Sequence, residues 1–149
     1  MGTFKEQVTI KAPRNQVFSY VEDLGNRERF MSESFGAFRL LSSQSKGQGA
    51  KIAFGFKLMQ NAPSEAELVR VLWPKSIEES GKFGQDQFTT TYLIEETSNG
   101  YTQVTLEHEY PDPTGIRKFM PGSSIRPLVT IAYRKALQGL RATLNAHQH

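Results

Sequence analysis

From Phe4 to Ile10 the chain alternates: Phe4, Val8 and Ile10 share one parity, while Lys5, Gln7, Thr9 and Lys11 share the other. This is the pattern of a strand with one face buried, and Glu6 is the exception on the inner parity. The period then lengthens. Val17, Phe18, Val21 and Leu24 recur at helical spacing, and Pro13 suits a first helical turn, so a helix is predicted from about Pro13 to Asp23. Gly25 is expected to end it as a left-handed cap, and Asn26 to cap a second short helix carrying Phe30 and Met31.

Beyond this elbow the period returns to two. Strands are predicted over Phe35–Ser42 and Ala50–Met59, where Ile52, Phe54, Phe56 and Leu58 alternate strictly, with the Gly-rich stretch 43–49 between them as a turn. Ser64–Leu72 follows, with Val69, Val71 and Trp73 on one face. Pro74 interrupts the pattern before Ser76–Ser80, and Gly81–Gly84 reads as a turn. Phe88–Glu95 and Tyr101–Tyr110 form the clearest hairpin, because Asn99-Gly100 at its tip is the strongest short hairpin signal.

Pro111 to Gly115 stops the sheet, and from about Ser124 to Ala146 the period is helical again. Leu128, Val129, Ala132, Tyr133, Ala136, Leu137, Leu140 and Leu144 form one broad apolar stripe opposite Arg134, Gln138, Arg141 and Asn145. At 1.5 Å per residue such a helix is about 34 Å long, enough to cross a small domain. Its stripe needs an apolar surface to cover it, and the inner face of the sheet is the large one available. The expected fold is therefore α+β: a curved antiparallel sheet of about seven strands wrapped around a long C-terminal helix, with two short helices after the first strand.

Composition narrows the picture without changing it. A chain of 149 residues with 38% hydrophobic and 22% charged residues fits a single domain over residues 1–149, and neither the disordered nor the membrane class. The net charge of +3 comes from Lys and Arg scattered among acidic residues, so no basic stripe marks a nucleic-acid face. Without cysteine, disulfides and thiolate chemistry are excluded. No run approaches membrane-spanning length and no basic segment leads into an apolar one, so the expected location is cytoplasmic.

The Ala12-Pro13 step from the first strand into Val17-Phe18 on a helix resembles the START-like superfamily, also called the helix-grip or Bet v 1-like fold. The segment from Val8 to Asp23 is similar to the opening of its bacterial polyketide cyclase/dehydrase branch. Gly100-Tyr-Thr-Gln-Val104 is similar to that branch's Gly-x-Thr-x-Val step, and Trp73-Pro74 before a strand also fits. The resemblance implies a cavity between sheet and helix that takes a lipid, polyketide or other apolar molecule. It implies no universal catalytic motif, and fold alone does not assign function.

Candidate chemistry follows from which side chains face inward. On the last strand Val104, Leu106, His108 and Tyr110 share the inner parity; on the preceding one Phe88, Thr90, Tyr92 and Ile94 do. His108 and Tyr92 are the catalytic candidates, the imidazole because it exchanges protons near neutral pH, although a satisfied core histidine and a structural tyrosine are the more common arrangements. Arg70 and Glu6 also carry inner parity. One can neutralise the other, or a bulge can expose them. The expected ligand-binding set is Phe30, Met31, Phe54, Phe56, Arg70, Thr90, Tyr92, His108, Tyr110, Phe119, Val129 and Tyr133.

No metal site is expected, since His147 and His149 lie in a tail and His108 stands at no ligand spacing. No cofactor is expected either, because Gly47-Gln-Gly49 precedes a strand rather than a helix. Three functions stay open: binding of a small, largely apolar molecule; cyclisation or dehydration of a polyketide-like substrate by pocket His and Tyr; and a regulatory module engaging an unidentified protein partner.

Overall fold

The two periods of the sequence become two layers in the computed structural model, which describes residues 2–57, 62–83, 86–110 and 125–146. The chain runs β1 (Gly2–Ile10), α1 (Arg14–Glu22), a 3-10 turn (Leu24–Asn26), α2 (Arg27–Met31), β2 (Phe35–Leu40), β3 (Lys51–Phe56), β4 (Ala62–Leu72), β5 (Ser76–Phe83), β6 (Asp86–Glu96), β7 (Thr102–Tyr110) and α3 (Ile125–Ala146). The seven strands form one antiparallel sheet in the order β1-β7-β6-β5-β4-β3-β2. Each strand after β1 pairs with its sequence neighbour, and β1 joins the far side through β7. This is the expected sheet with a long helix packed on its inner face.

The helix is held by its stripe. Val129, Ala132, Tyr133, Ala136, Leu137, Leu140 and Leu144 are all buried, against Val8, Ile10, Val104 and Leu106 of the sheet and Phe30 and Met31 of α2 in one continuous core. Leu128 belongs to α3, but its side chain lies outside the described residues. Gly139 brings α2 and α3 together, since a Cβ there would collide with the Phe30 carbonyl oxygen. Arg134 on the opposite side reaches back to Glu6, with Nη2 at 2.6 Å from Oε1. Glu6, the polar exception in β1, is therefore neutralised by the long helix rather than by Arg70.

The elbow is built differently from its expected caps. Pro13 is the N-cap of α1 rather than its first-turn residue. Asp23 is extended, and its side chain accepts from the Gly25 N–H, so Gly25 belongs to the 3-10 turn and not to a left-handed cap. Asn26 does occupy the position before α2, but its amide donates to the Tyr20 carbonyl at 3.1 Å. The hairpin tip is as expected: Gly100 has φ 82°, and the Thr97 N–H donates to the Tyr101 carbonyl.

Two bulges interrupt the alternation, and the one in β4 corrects the expected parity. In β4, Leu68 pairs with Glu79 and Arg70 with Glu78, leaving Val69 as an extra residue. Ala66 and Leu68 face inward before the bulge, and Val71 after it, while Arg70 is exposed on the outer face opposite Glu78. Val69 does not share a face with Val71. In β2, Gly36 pairs with Gly55 and Arg39 with Ala53, so Ala37 and Phe38 together oppose Phe54. Ala37 takes φ 53°, and Phe38 turns in to stack on Phe54 at 6.0 Å between ring centroids.

The expected turn at Gly81 is strand instead. Gly81 pairs with Phe88 and Ala66, and a side chain there would collide with the Phe88 ring and the Glu65 carbonyl. The missing Cβ makes room for the ring of the neighbouring strand.

Candidate functional site

The inner face carries a row of polar residues where a sheet covered by a helix normally presents apolar ones. Register places Glu79 of β5 beside Thr90 of β6, and Thr90 beside His108 of β7, with Leu68 and Phe4 closing the row on either side. Glu79, Thr90 and His108 are each at most 2% exposed. A polar group at this depth costs free energy unless it is hydrogen bonded, and a charge costs more.

Each member of the row meets a side chain from the helical layer. Arg27, buried in the first turn of α2, sets Nη1 at 3.0 and 3.1 Å from the two Glu79 carboxylate oxygens, and its Nη2 donates to the Val21 carbonyl at 3.2 Å. Its Cζ lies 5.2 Å from the Tyr92 ring centroid. Burial works against the Arg27 charge, but Glu79 and the tyrosines outweigh it and the pKa is raised. The two form a buried ion pair. Burial pushes the Tyr92 hydroxyl up as well. Arg27 Nε and the Tyr92 hydroxyl have no hydrogen-bond partner among the described residues.

At the other end of the row, Thr90 Oγ1 lies 2.8 Å from His108 Nδ1 and also hydrogen bonds the Tyr133 hydroxyl of α3. Burial pushes the His108 pKa down to about 3, so its imidazole is neutral near pH 7. It stacks among rings, with centroids at 4.5 Å from Tyr133, 5.1 Å from Phe88 and 5.3 Å from Phe4. The contacts continue from Phe88 through Phe83, Phe56 and Phe35 back to Tyr133, closing a circuit of six rings.

Between the row and the β2–β3 edge lies a void of about 10 Å³, lined by Arg27, Met31, Phe38, Ile52, Phe54, Ala66, Glu79 and Tyr133. That is room for about one water molecule. Phe38, one of these lining residues, is only half-buried. A larger groove of about 570 Å³ opens outside the core, lined by residues including Arg14, Leu72, Lys75, Glu95 and Glu96. Its two basic and two acidic side chains give it no preferred ligand charge.

Of the residues expected to bind ligand, Phe30, Met31, Phe54, Phe56, Thr90, Tyr92, His108, Val129 and Tyr133 are buried in the core. Among them Met31, Phe54 and Tyr133 line the void. Tyr92 pairs with Leu106 and Thr90 with His108, so Tyr92 and His108 sit diagonally on the same inner face. Arg70 lies on the outer face, moved there by the β4 bulge. Phe119 and the side chain of Tyr110 lie outside the described residues.

Arg27, Glu79 and Phe38 were not expected at the site. Glu79 shares the parity of Ile77, Gly81 and Phe83, and Arg27 precedes Phe30 and Met31 at helical spacing, so both carried a readable signal. Phe38 carried none, because its orientation depends on the bulge. Among the described residues there is no cluster of three or more His, Cys, Asp or Glu able to hold a metal ion, and no helix long and apolar enough to cross a membrane.

Comparison with known proteins agrees with this architecture. The family described as polyketide cyclase / dehydrase and lipid transport matches residues 1–145. Among solved structures, a START superfamily protein from Mycobacterium smegmatis superposes with a TM-score of 0.75 at 10% identity, covering 97% of each chain. The major latex-like protein 151 of Panax ginseng gives 0.73 at 12% identity, over 96% of this chain and 97% of its own. An HSP90 activator from Plasmodium falciparum gives 0.67 at 18% identity, over 95% of each. At these identities the likeness is one of fold. No curated protein matches the chain in sequence.

Proposed function

Because this chain belongs to the polyketide cyclase/dehydrase and lipid-transport family, we propose that it binds a small, largely apolar molecule between α3 and the sheet. The observation that carries this reading is the polar row Glu79–Thr90–His108, set inside an aromatic shell and met by Arg27 and Tyr133. Binding pockets combine a mostly apolar lining with a few placed polar groups, and packing alone gains nothing from a buried ion pair. The void of about 10 Å³ represents the closed form. The ligand enlarges it by displacing Phe38, which is half-buried against the core.

Catalysis by His108 is the less favoured reading. A histidine with a pKa near 3 lacks the acidic imidazolium proton at neutral pH and is a weak base, so it suits a hydrogen-bonding role better than proton transfer.

The binding reading is tested with a fluorescent apolar probe, anilinonaphthalene sulfonate excluded because of its charge, and acylated dimethylaminonaphthalene used instead. The wild-type protein is expected to bind it saturably, and Phe38→Ala is expected to speed association about tenfold by removing the ring over the void. Absence of saturable binding, or loss of that binding in an exposed surface variant such as Leu72→Ser, would sink the reading.

A further inference from the structure

The outer face of the sheet carries an apolar corner that interior binding does not use. Leu72 pairs with Ser76 and Ser76 with Leu93, so the three side chains share a face. It is the outer one, because Tyr92 and Ile94 on either side of Leu93 are buried. The short serine between two leucines belongs to the groove of about 570 Å³, which Arg14, Lys75, Glu95 and Glu96 also line. Beside it stands Trp73, the only tryptophan of the chain. Its ring meets Phe18 edge-on at 4.9 Å, and Phe18 lies one turn after Arg14 on α1. Leu72 is 45% and Trp73 55% exposed, more than any other large apolar side chain among the described residues.

Two adjacent apolar side chains held in water favour a partner that covers them, and the charges around the groove restrict that partner. Its two basic and two acidic residues cancel, although the whole chain carries +3. Among the described residues, no ion pair joins any two of these four. A strongly acidic or basic partner would meet as much repulsion as attraction there. A contact about a two-fold axis sets a patch against itself, and therefore needs both signs on one rim. We propose that this face pairs two copies of the chain. The Leu72–Trp73 corner of each copy seats in the groove of the other, and Arg14 and Lys75 of one copy face Glu95 and Glu96 of the second. Packed on Phe18, the Trp73 ring has little orientational freedom to lose on contact. A patch of this size gives a weak, reversible dimer, and two-fold closure stops assembly at two.

Sedimentation equilibrium and Trp73 emission, followed together from about 1 μM to 1 mM, test the proposal. The wild type is expected to dimerise, with emission shifting to the blue over the same concentrations as Trp73 leaves water. Leu72→Ser is expected to weaken association about tenfold. Arg14→Glu/Lys75→Glu makes the rim wholly acidic and Glu95→Lys/Glu96→Lys makes it wholly basic. Each is expected to stay monomeric alone, and an equimolar mixture to regain the dimer. Adding Leu72→Ser to both members of the mixture is expected to weaken that mixed dimer as well, which separates a seated contact from general charge attraction. A wild type that is monomeric throughout the range, dimerisation without an emission shift, or a mixed dimer indifferent to Leu72→Ser overturns the proposal.

Discussion

Glu79 is tolerated in the core only because Arg27 reaches it, and the two side chains should behave as one unit. Removing one partner leaves a buried charge unmatched, which costs about 3–5 kcal/mol, whereas replacing both with apolar groups of similar volume is close to neutral. Glu79→Leu is therefore expected to lower the unfolding free energy by that amount, and Arg27→Met/Glu79→Leu to restore most of it, as read by urea denaturation. Equal losses in the single and double variants would show that the pair is not coupled. His108 makes a second residue-scale prediction. Burial holds its folded pKa near 3, while the unfolded chain protonates near the ordinary value of about 6.5. Falling pH thus protonates the unfolded state first. The stability that neutral His108 contributes is complete above about pH 6.5 and is lost as pH falls toward 3, by up to about 1.4 kcal/mol per pH unit. His108→Asn is expected to lose this slope relative to the wild type in denaturation curves at successive pH values; parallel losses in the two proteins would contradict it.

At the scale of elements, the decisive contact is that of α2 with α3. Glycine inside a helix normally costs about 1 kcal/mol relative to alanine, so replacing it should stabilise. Gly139 should behave oppositely, because a methyl group there meets the Phe30 carbonyl and forces the two helices apart. Gly139→Ala is expected to lower the unfolding free energy by about 1–3 kcal/mol, the range for an overpacked core. Thermal unfolding checks the sign: a raised melting temperature would mean that α2 can shift freely. Because α2 carries Arg27, the same displacement would also loosen the ion pair, linking helix packing to the polar row.

For the whole molecule, the architecture was legible because it rests on periods. Alternation in β1, β3, β6 and β7 and the stripe of α3 each specify a buried face, and one arrangement satisfies them all. Inner parity also placed Thr90, Tyr92 and His108 correctly on the sheet's inner face. What escaped depended on single-residue irregularities or on distant partners. Simple alternation misplaces Arg70 because one extra residue at Val69 reverses the faces after it, and Gly81 suggests a turn although it is the strand position over which the Phe88 ring lies. Glu79 had the right parity, but nothing local revealed that Arg27, 52 residues earlier, would make its burial tolerable.

The kink at Ala37 has a consequence beyond the orientation of Phe38. β2 is the last strand of an open sheet, and a long straight edge offers unpaired backbone groups to which another chain can add a strand. With Ala37 at φ 53° the edge is broken near its middle, into segments too short to template much pairing. The irregularity that turns a ring toward the interior also guards the protein against growing into a fibre.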